Sequence, residues 1–146
     1  DGLKFVRRRQ NYYDLIIVDS TDPFGPGEAL FTREFYGNCY NALKQDGILV
    51  NQHESPYYTN DANAMTKAHK QIRSIFPISK VYQAHIPTYP SGHWMFGFAS
   101  KNLDPVADLK ANVWNDLNLR TKYYNTELHK GSFAIPNYVK ELMDNV

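Results

Sequence analysis

Leu15-Ile16-Ile17-Val18 is an unbroken apolar run of four, the pattern of a short strand covered on both faces. After a polar interval, Leu30, Phe31, Phe35, Tyr36, Cys39, Tyr40 and Leu43 recur at helical spacing, which predicts a helix stopped by Asp46-Gly47. Ile48-Leu49-Val50 then repeats the buried-strand pattern. Asn60 or Asp61 is placed to cap a second helix, with an apolar face of Ala64, Met65, Ala68, Ile72, Ile75 and Phe76 and a stop at Pro77. Residues 78–86 and 93–100 predict two more strands. The loop between them is too short for a crossover, so they should form an antiparallel hairpin. Weaker helical patterns lie near residues 113–117 and 137–143.

The order β-α-β-α-β-β predicts an α/β fold, specifically the second half of a methyltransferase-like Rossmann sheet: parallel strands with a final antiparallel strand. Composition agrees with a single globular unit across residues 1–146, with 42% hydrophobic and 21% charged residues and no low-complexity tract. A net charge of +1 argues against a nucleic-acid surface, and the one basic cluster, "VRRRQ" at 6–10, reads as a solvated helix face or turn. The single cysteine, Cys39, excludes an intrachain disulfide framework, in keeping with a cytoplasmic location, and it sits among apolar residues as a packing group. No apolar run is long enough to span a membrane. The chain opens at Asp1-Gly2 without a methionine and meets a strand within about a dozen residues, as expected of a piece of a larger protein.

In open α/β sheets, ligands sit beyond the carboxyl ends of the parallel strands. Asp19 ends the first apolar run and Asp22 follows three positions later; Gln52, His53 and Glu54 end the second. Two close carboxylates repel, and a cation relieves that strain, so the pair suits an amine, a sulfonium or a metal ion. The plainer alternative is a turn that caps the helix starting near Glu28. Against it, Pro23, Gly25, Pro26 and Gly27 intervene and specify a tight path suited to a bound ligand. Metal binding has little support: in "HESPY" at 53–57 Tyr57 stands where a zinc-protease motif needs its second histidine, and the five histidines show no ligand spacing. In "IPTYPSG", residues 86–92, Pro90 holds Tyr89 out of helical geometry and Pro87 stiffens the approach. The tyrosine ring could serve either as packing for a hairpin turn or as a wall for an alkyl chain with an ammonium end.

These stretches together resemble the spermidine synthase family of aminopropyltransferases. "YDLIIVDSTDPFGPGEALF" looks like the family signature after the fourth strand, "DGILVNQHES" like its next strand, "IPTYPSGHWMFGFASK" like its tyrosine loop and last strand, and "YYNTELHKGSFAIP" like its C-terminal segment. The resemblance implies that Asp19 accepts the proton of the attacking amine. It makes Asp22 a polyamine ligand, with Ser20 and Thr21 in the same site, and puts Tyr89 and Gln52 at the amine pocket. It also sets Asp1 and Gly2 against adenine and Pro26 along the nucleoside site. The implied reaction moves an aminopropyl group from decarboxylated S-adenosylmethionine to putrescine, giving spermidine and methylthioadenosine. Decarboxylated S-adenosylmethionine is a co-substrate, and no cofactor is held permanently.

The family pattern also has an N-terminal β domain and a first half of the sheet that this sequence does not contain, so the isolated chain is expected to be inactive. A full-length protein is expected to form a homodimer or homotetramer. Two rival readings remain at this stage: a putrescine N-methyltransferase of the same fold, and an α/β segment with no catalysis of its own.

Overall fold

The computed structural model describes residues 2–19 and 25–144. Four strands form one mixed sheet in the order β1-β2-β4-β3. Strand β1 (Tyr13–Val18) runs parallel to β2 (Leu43–Gln52), whereas β4 (His93–Ser100) is antiparallel to both β2 and β3 (Ile78–His85). Helix α1 (Gly2–Arg7) precedes the sheet, and α2 (Arg33–Ala42) and α3 (Thr59–Arg73) make the crossovers after β1 and β2. Three short helices follow the hairpin: α4 (Ala111–Asp116), α5 (Thr126–Ser132) and α6 (Asn137–Asp144). The α/β class, the parallel pair and the closing antiparallel hairpin are those expected. Among the described residues, no helix is long and apolar enough to cross a membrane.

Strand alternation divides the sheet into two faces. On one face Val18, Leu49 and Ala99 pack against Phe35, Tyr36, Cys39 and Ala42 of α2 and against Ile72 and Phe76. Further along the same face, Val81 and Met95 meet Met65 of α3 and Val139 and Met143 of α6. The opposite face is covered only in part. Tyr82 of β3 stacks on Phe96 and touches Phe133 beyond α5, with ring centroids 5.2 Å apart in both pairs. Leu15 and Ile17 remain 50% and 65% exposed. The expected cover of the first strand on both faces is met on one face among the described residues, where α1, α2 and α3 all stand on the same side of it.

The first crossover helix also differs from its expected bounds. A 3-10 turn, Gly25–Phe31, comes first, and the α-helix starts after Thr32, whose Oγ1 accepts from the Phe35 amide at 3.2 Å. The helix ends at Ala42, not at Asp46-Gly47. Its last carbonyls, on Asn41 and Ala42, accept from the amides of Asn11 and Tyr12 at 2.9 and 2.8 Å, so the segment entering β1 satisfies the helix end directly. Leu43 is already extended and begins β2, and Lys44 reaches the Asp14 carboxylate across the strands. Gly47 is needed for close approach and not for a left-handed turn, since a Cβ there would lie 2.9 Å from Leu43 Cδ2. Helix α3 starts at Thr59, ahead of Asn60 and Asp61. Its N-cap residue, Tyr58, makes no side-chain cap bond, which corrects the expected cap.

Candidate active site

The parallel strands deliver their carboxyl ends side by side. Val18 pairs with Asn51, so Asp19 and Gln52, the next residue on each strand, leave the sheet at the same rim. The β3–β4 hairpin turns at that rim as well, because β4 begins opposite the end of β2: Gln52 pairs with Phe96, and the amides of His53 and Met95 bond to Met95 O and Glu54 O. Asp19, Gln52 and Tyr89, three of the expected site residues, are thus gathered at one end of the sheet from three separate stretches.

Asp19 is exposed and lines a cleft of about 400 Å³. Gly2 and Phe5 of α1, Leu30 from the 3-10 turn, and Phe35 and Cys39 of α2 line the same cleft. Gly2 and Asp19 were expected to serve different substrates, and they share this cavity. Pro26 lies within the 3-10 turn that contributes Leu30. Asp1, Ser20, Thr21 and Asp22 lie outside the described residues.

The apolar lining suits a planar hydrophobic ligand part, and the carboxylate offers the one negative charge among the described lining residues. Burial pushes the Cys39 thiol up to about 12, which leaves it a neutral packing group.

At the hairpin, Ile86 N–H bonds Gly92 O at 2.8 Å and closes the loop. Tyr89 is 40% exposed, and its ring lies 4.3 Å, centroid to centroid, from the buried indole of Trp94. Sequence reasoning missed Trp94, taking it only as an apolar strand residue. Its parity could have found it. Trp94 shares a face with Phe96 and hence with Gln52, so the register of β4 sets it on the Gln52 side of the sheet, where it meets Tyr89. The two rings form an aromatic wall, the kind of surface that attracts a cation.

Beneath the rim runs a buried polar chain that was also not anticipated. Asn51 Nδ2 donates to His53 Nδ1 at 3.0 Å and to Gln52 O at 3.2 Å. With Nδ1 accepting, His53 carries its proton on Nε2 and donates to His69 Nδ1 at 3.4 Å. Burial, helped by the neighbouring imidazole, lowers His53 to about 3. Burial, with Arg73 adding to it, lowers His69 to about 4.

Both rings are neutral in the fold and would titrate near 6.5 when unfolded. The stability linked to them is complete above about pH 6.5 and drains away as pH falls from there towards 4, because the unfolded chain takes up the protons first. Urea unfolding should lose about 2 kcal/mol per imidazole between pH 7 and pH 5. A double substitution, His53→Gln with His69→Gln, should flatten that slope.

A third histidine, His93, is fixed just as fully. The Gln83 amide donates to Ala134 O, which leaves its Oε1 to accept from His93 Nε2 at 2.7 Å, and Tyr138 O–H donates to His93 Nδ1 at 2.8 Å. These bonds tie α6 to the base of the Tyr89 hairpin.

Comparison with known proteins bears on this geometry. The model of the spermine/spermidine synthase domain matches residues 1–111. A polyamine aminopropyltransferase of Alkaliphilus oremlandii is 73% identical over 144 residues, which is 99% of this chain and 51% of that protein. One from Clostridium perfringens is 74% identical over 147 residues, covering 100% and 51%. The chain thus spans about half the length of the curated relatives it matches. Among solved structures, a spermidine synthase in complex with the transition-state analogue AdoDATO superposes with a TM-score of 0.92 at 44% identity, over 99% of this chain and 49% of that one. The spermidine synthase of Thermotoga maritima superposes with a TM-score of 0.90 at 42% identity, over 100% and 48%.

Proposed function

The chain belongs to the spermine/spermidine synthase family, and from that premise we propose that the full-length protein transfers an aminopropyl group from decarboxylated S-adenosylmethionine to putrescine. The observation that carries this reading is the shared rim: Asp19, in an apolar cleft with Gly2, leaves the sheet at the same end as Gln52 and the hairpin that carries the Tyr89–Trp94 pair.

The chemistry accounts for the residue types. A primary amine nitrogen attacks the propyl carbon next to the sulfonium. The N–C bond forms, the C–S bond breaks with its electron pair going to sulfur, and methylthioadenosine leaves. Both substrates are cations at neutral pH, so carboxylates must offset their repulsion to bring them together. An alkylammonium titrates near ~10 and an aspartate near ~4, so full deprotonation by Asp19 beforehand is uphill. Asp19 instead orients a neutral amine and takes its proton as bond formation acidifies the nitrogen. In this reading Asp22 holds the distal ammonium, Ser20 and Thr21 carry the backbone between the two carboxylates, and Gln52 and Tyr89 border the diamine. Gly2, with Asp1 and Pro26, serves the nucleoside, whose flat adenine matches the apolar lining near Leu30 and Phe35.

The decisive assay supplies full-length protein with putrescine and either decarboxylated or intact S-adenosylmethionine. Spermidine and methylthioadenosine in equal amounts from the decarboxylated form are expected. A methylated amine from the intact form, without propyl transfer, would overturn the proposal in favour of an N-methyltransferase.

A further inference from the structure

The loop that presents Tyr89 is held by a strained residue and one buried hydroxyl. Ser91 has φ 69° and Gly92 φ 67°, two successive left-handed residues directly after Tyr89-Pro90. Glycine adopts that conformation freely, whereas serine does so only when its surroundings enforce it. What enforces it is visible. Ser91 Oγ lies 3.3 Å from both the amide and the carbonyl of His93, and 3.1 Å from Ser55 Oγ. Ser55 is fully buried just beyond β2, three residues after Gln52, and its Oγ also accepts from the Tyr57 amide at 3.4 Å.

Donors and acceptors balance in one arrangement. Ser55 O–H donates to Ser91 Oγ, and Ser91 O–H donates to His93 O. Ser91 Oγ then accepts from Ser55 and from the His93 amide, which uses both of its lone pairs. The pair therefore forms a directed clasp between the strand end that carries Gln52 and the loop that carries Tyr89.

We infer that Ser55 and Ser91 are positioning residues for the amine site, whose clasp sets the separation between the Tyr89 ring and the β2 rim. The inference rests on the reading of Tyr89 as a wall of the diamine pocket. Neither serine need touch a substrate. Ser55 is buried and Ser91 belongs to the loop itself, and both act through the backbone of residues 86–92, where Tyr89 N bonds Ile86 O and Gly92 N bonds Tyr89 O, each at 3.0 Å.

The test uses Ser55→Ala, Ser91→Gly and their combination in the full-length protein, with Tyr89→Ala as reference. Ser91→Gly removes the hydroxyl and accepts the left-handed backbone without strain, and it alters an exposed residue, so it decides the matter even if Ser55→Ala does not fold. Each single variant should raise the amine KM about tenfold, the scale of a sub-ångström misplacement, while the KM for the sulfonium co-substrate stays unchanged. The double variant should be no worse than either single. Hydrogen exchange of the Tyr89 and Gly92 amides should quicken in all three.

An unchanged amine KM alongside a raised one in Tyr89→Ala would overturn the clasp and leave the pocket reading intact. So would equal increases in both KM values, or additive losses in the double variant. Should Tyr89→Ala itself leave the amine KM unchanged, the pocket reading fails. The exchange data then judge the clasp alone, with faster exchange supporting it and unaltered exchange ending it.

Discussion

Asp19→Asn in the full-length protein is expected to lower kcat by roughly three orders of magnitude and to leave the amine KM within about twofold, the scale of removing a positioned general base. The substitution keeps the size of the side chain and an oxygen that can accept a hydrogen bond, so the amine can still be oriented. It removes the ability to take a proton as the N–C bond forms. Asp22→Asn should do the reverse, raising the amine KM with little change in kcat, because a ligand to the distal ammonium binds the ground state and the transition state alike. Steady-state kinetics with varied putrescine measures both. Equal losses of kcat and KM in the two variants would contradict this division of roles.

Gly97→Ala should be among the most damaging single changes to the fold. Gly97 pairs with Asn51 across β2 and β4, and the side chains of Asn51 and His53 lie over its α-carbon. A methyl group there would meet His53 Cε1 at 2.7 Å and Asn51 Oδ1 closer still. Neither neighbour has solvent to retreat into, since both are buried. Relief would have to break the Asn51–His53–His69 chain or part the strands, a cost of about 2–4 kcal/mol. Urea unfolding should show a lower midpoint with an unchanged slope. Gly37→Ala in α2, where an added methyl meets nothing within 4 Å, is the control and should be neutral or slightly stabilising. A Gly97→Ala midpoint matching the Gly37→Ala midpoint would refute the crowding argument.

What could be read from the sequence, and what could not, follows from the kind of signal each element carries. The final strand is evident because Trp94, Met95, Phe96, Phe98 and Ala99 form a dense apolar stretch interrupted only by Gly97, and Gly92 and Lys101 bound it. The end of α2 is hidden because Leu43 falls seven residues after Tyr36 and keeps the helical rhythm while starting a strand. Periodicity cannot tell a last buried helical position from a first buried strand position. The exposure of Leu15 and Ile17 could not be foreseen either, since an apolar run states what a strand can bury and not what covers it. Helix α5 was missed although its cap was in view: Asn125 accepts from the Leu128 amide at 2.6 Å.

At the site, the strand-end rule was enough to bring Asp19 and Gln52 together. Trp94 and the buried histidine chain required the register of β4, which depends on pairing between distant segments. The serine clasp lay further from view still, because it depends on a backbone angle at Ser91 that no residue type announces.

The lone thiol carries a consequence of its own. Cys39 borders the cleft beside Asp19 yet shows no surface to solvent, and its proton is held tightly. An alkylating reagent can therefore reach it only while α2 lifts from the sheet. Its modification rate counts those excursions, and a nucleoside seated in the cleft would slow the count by keeping the helix down.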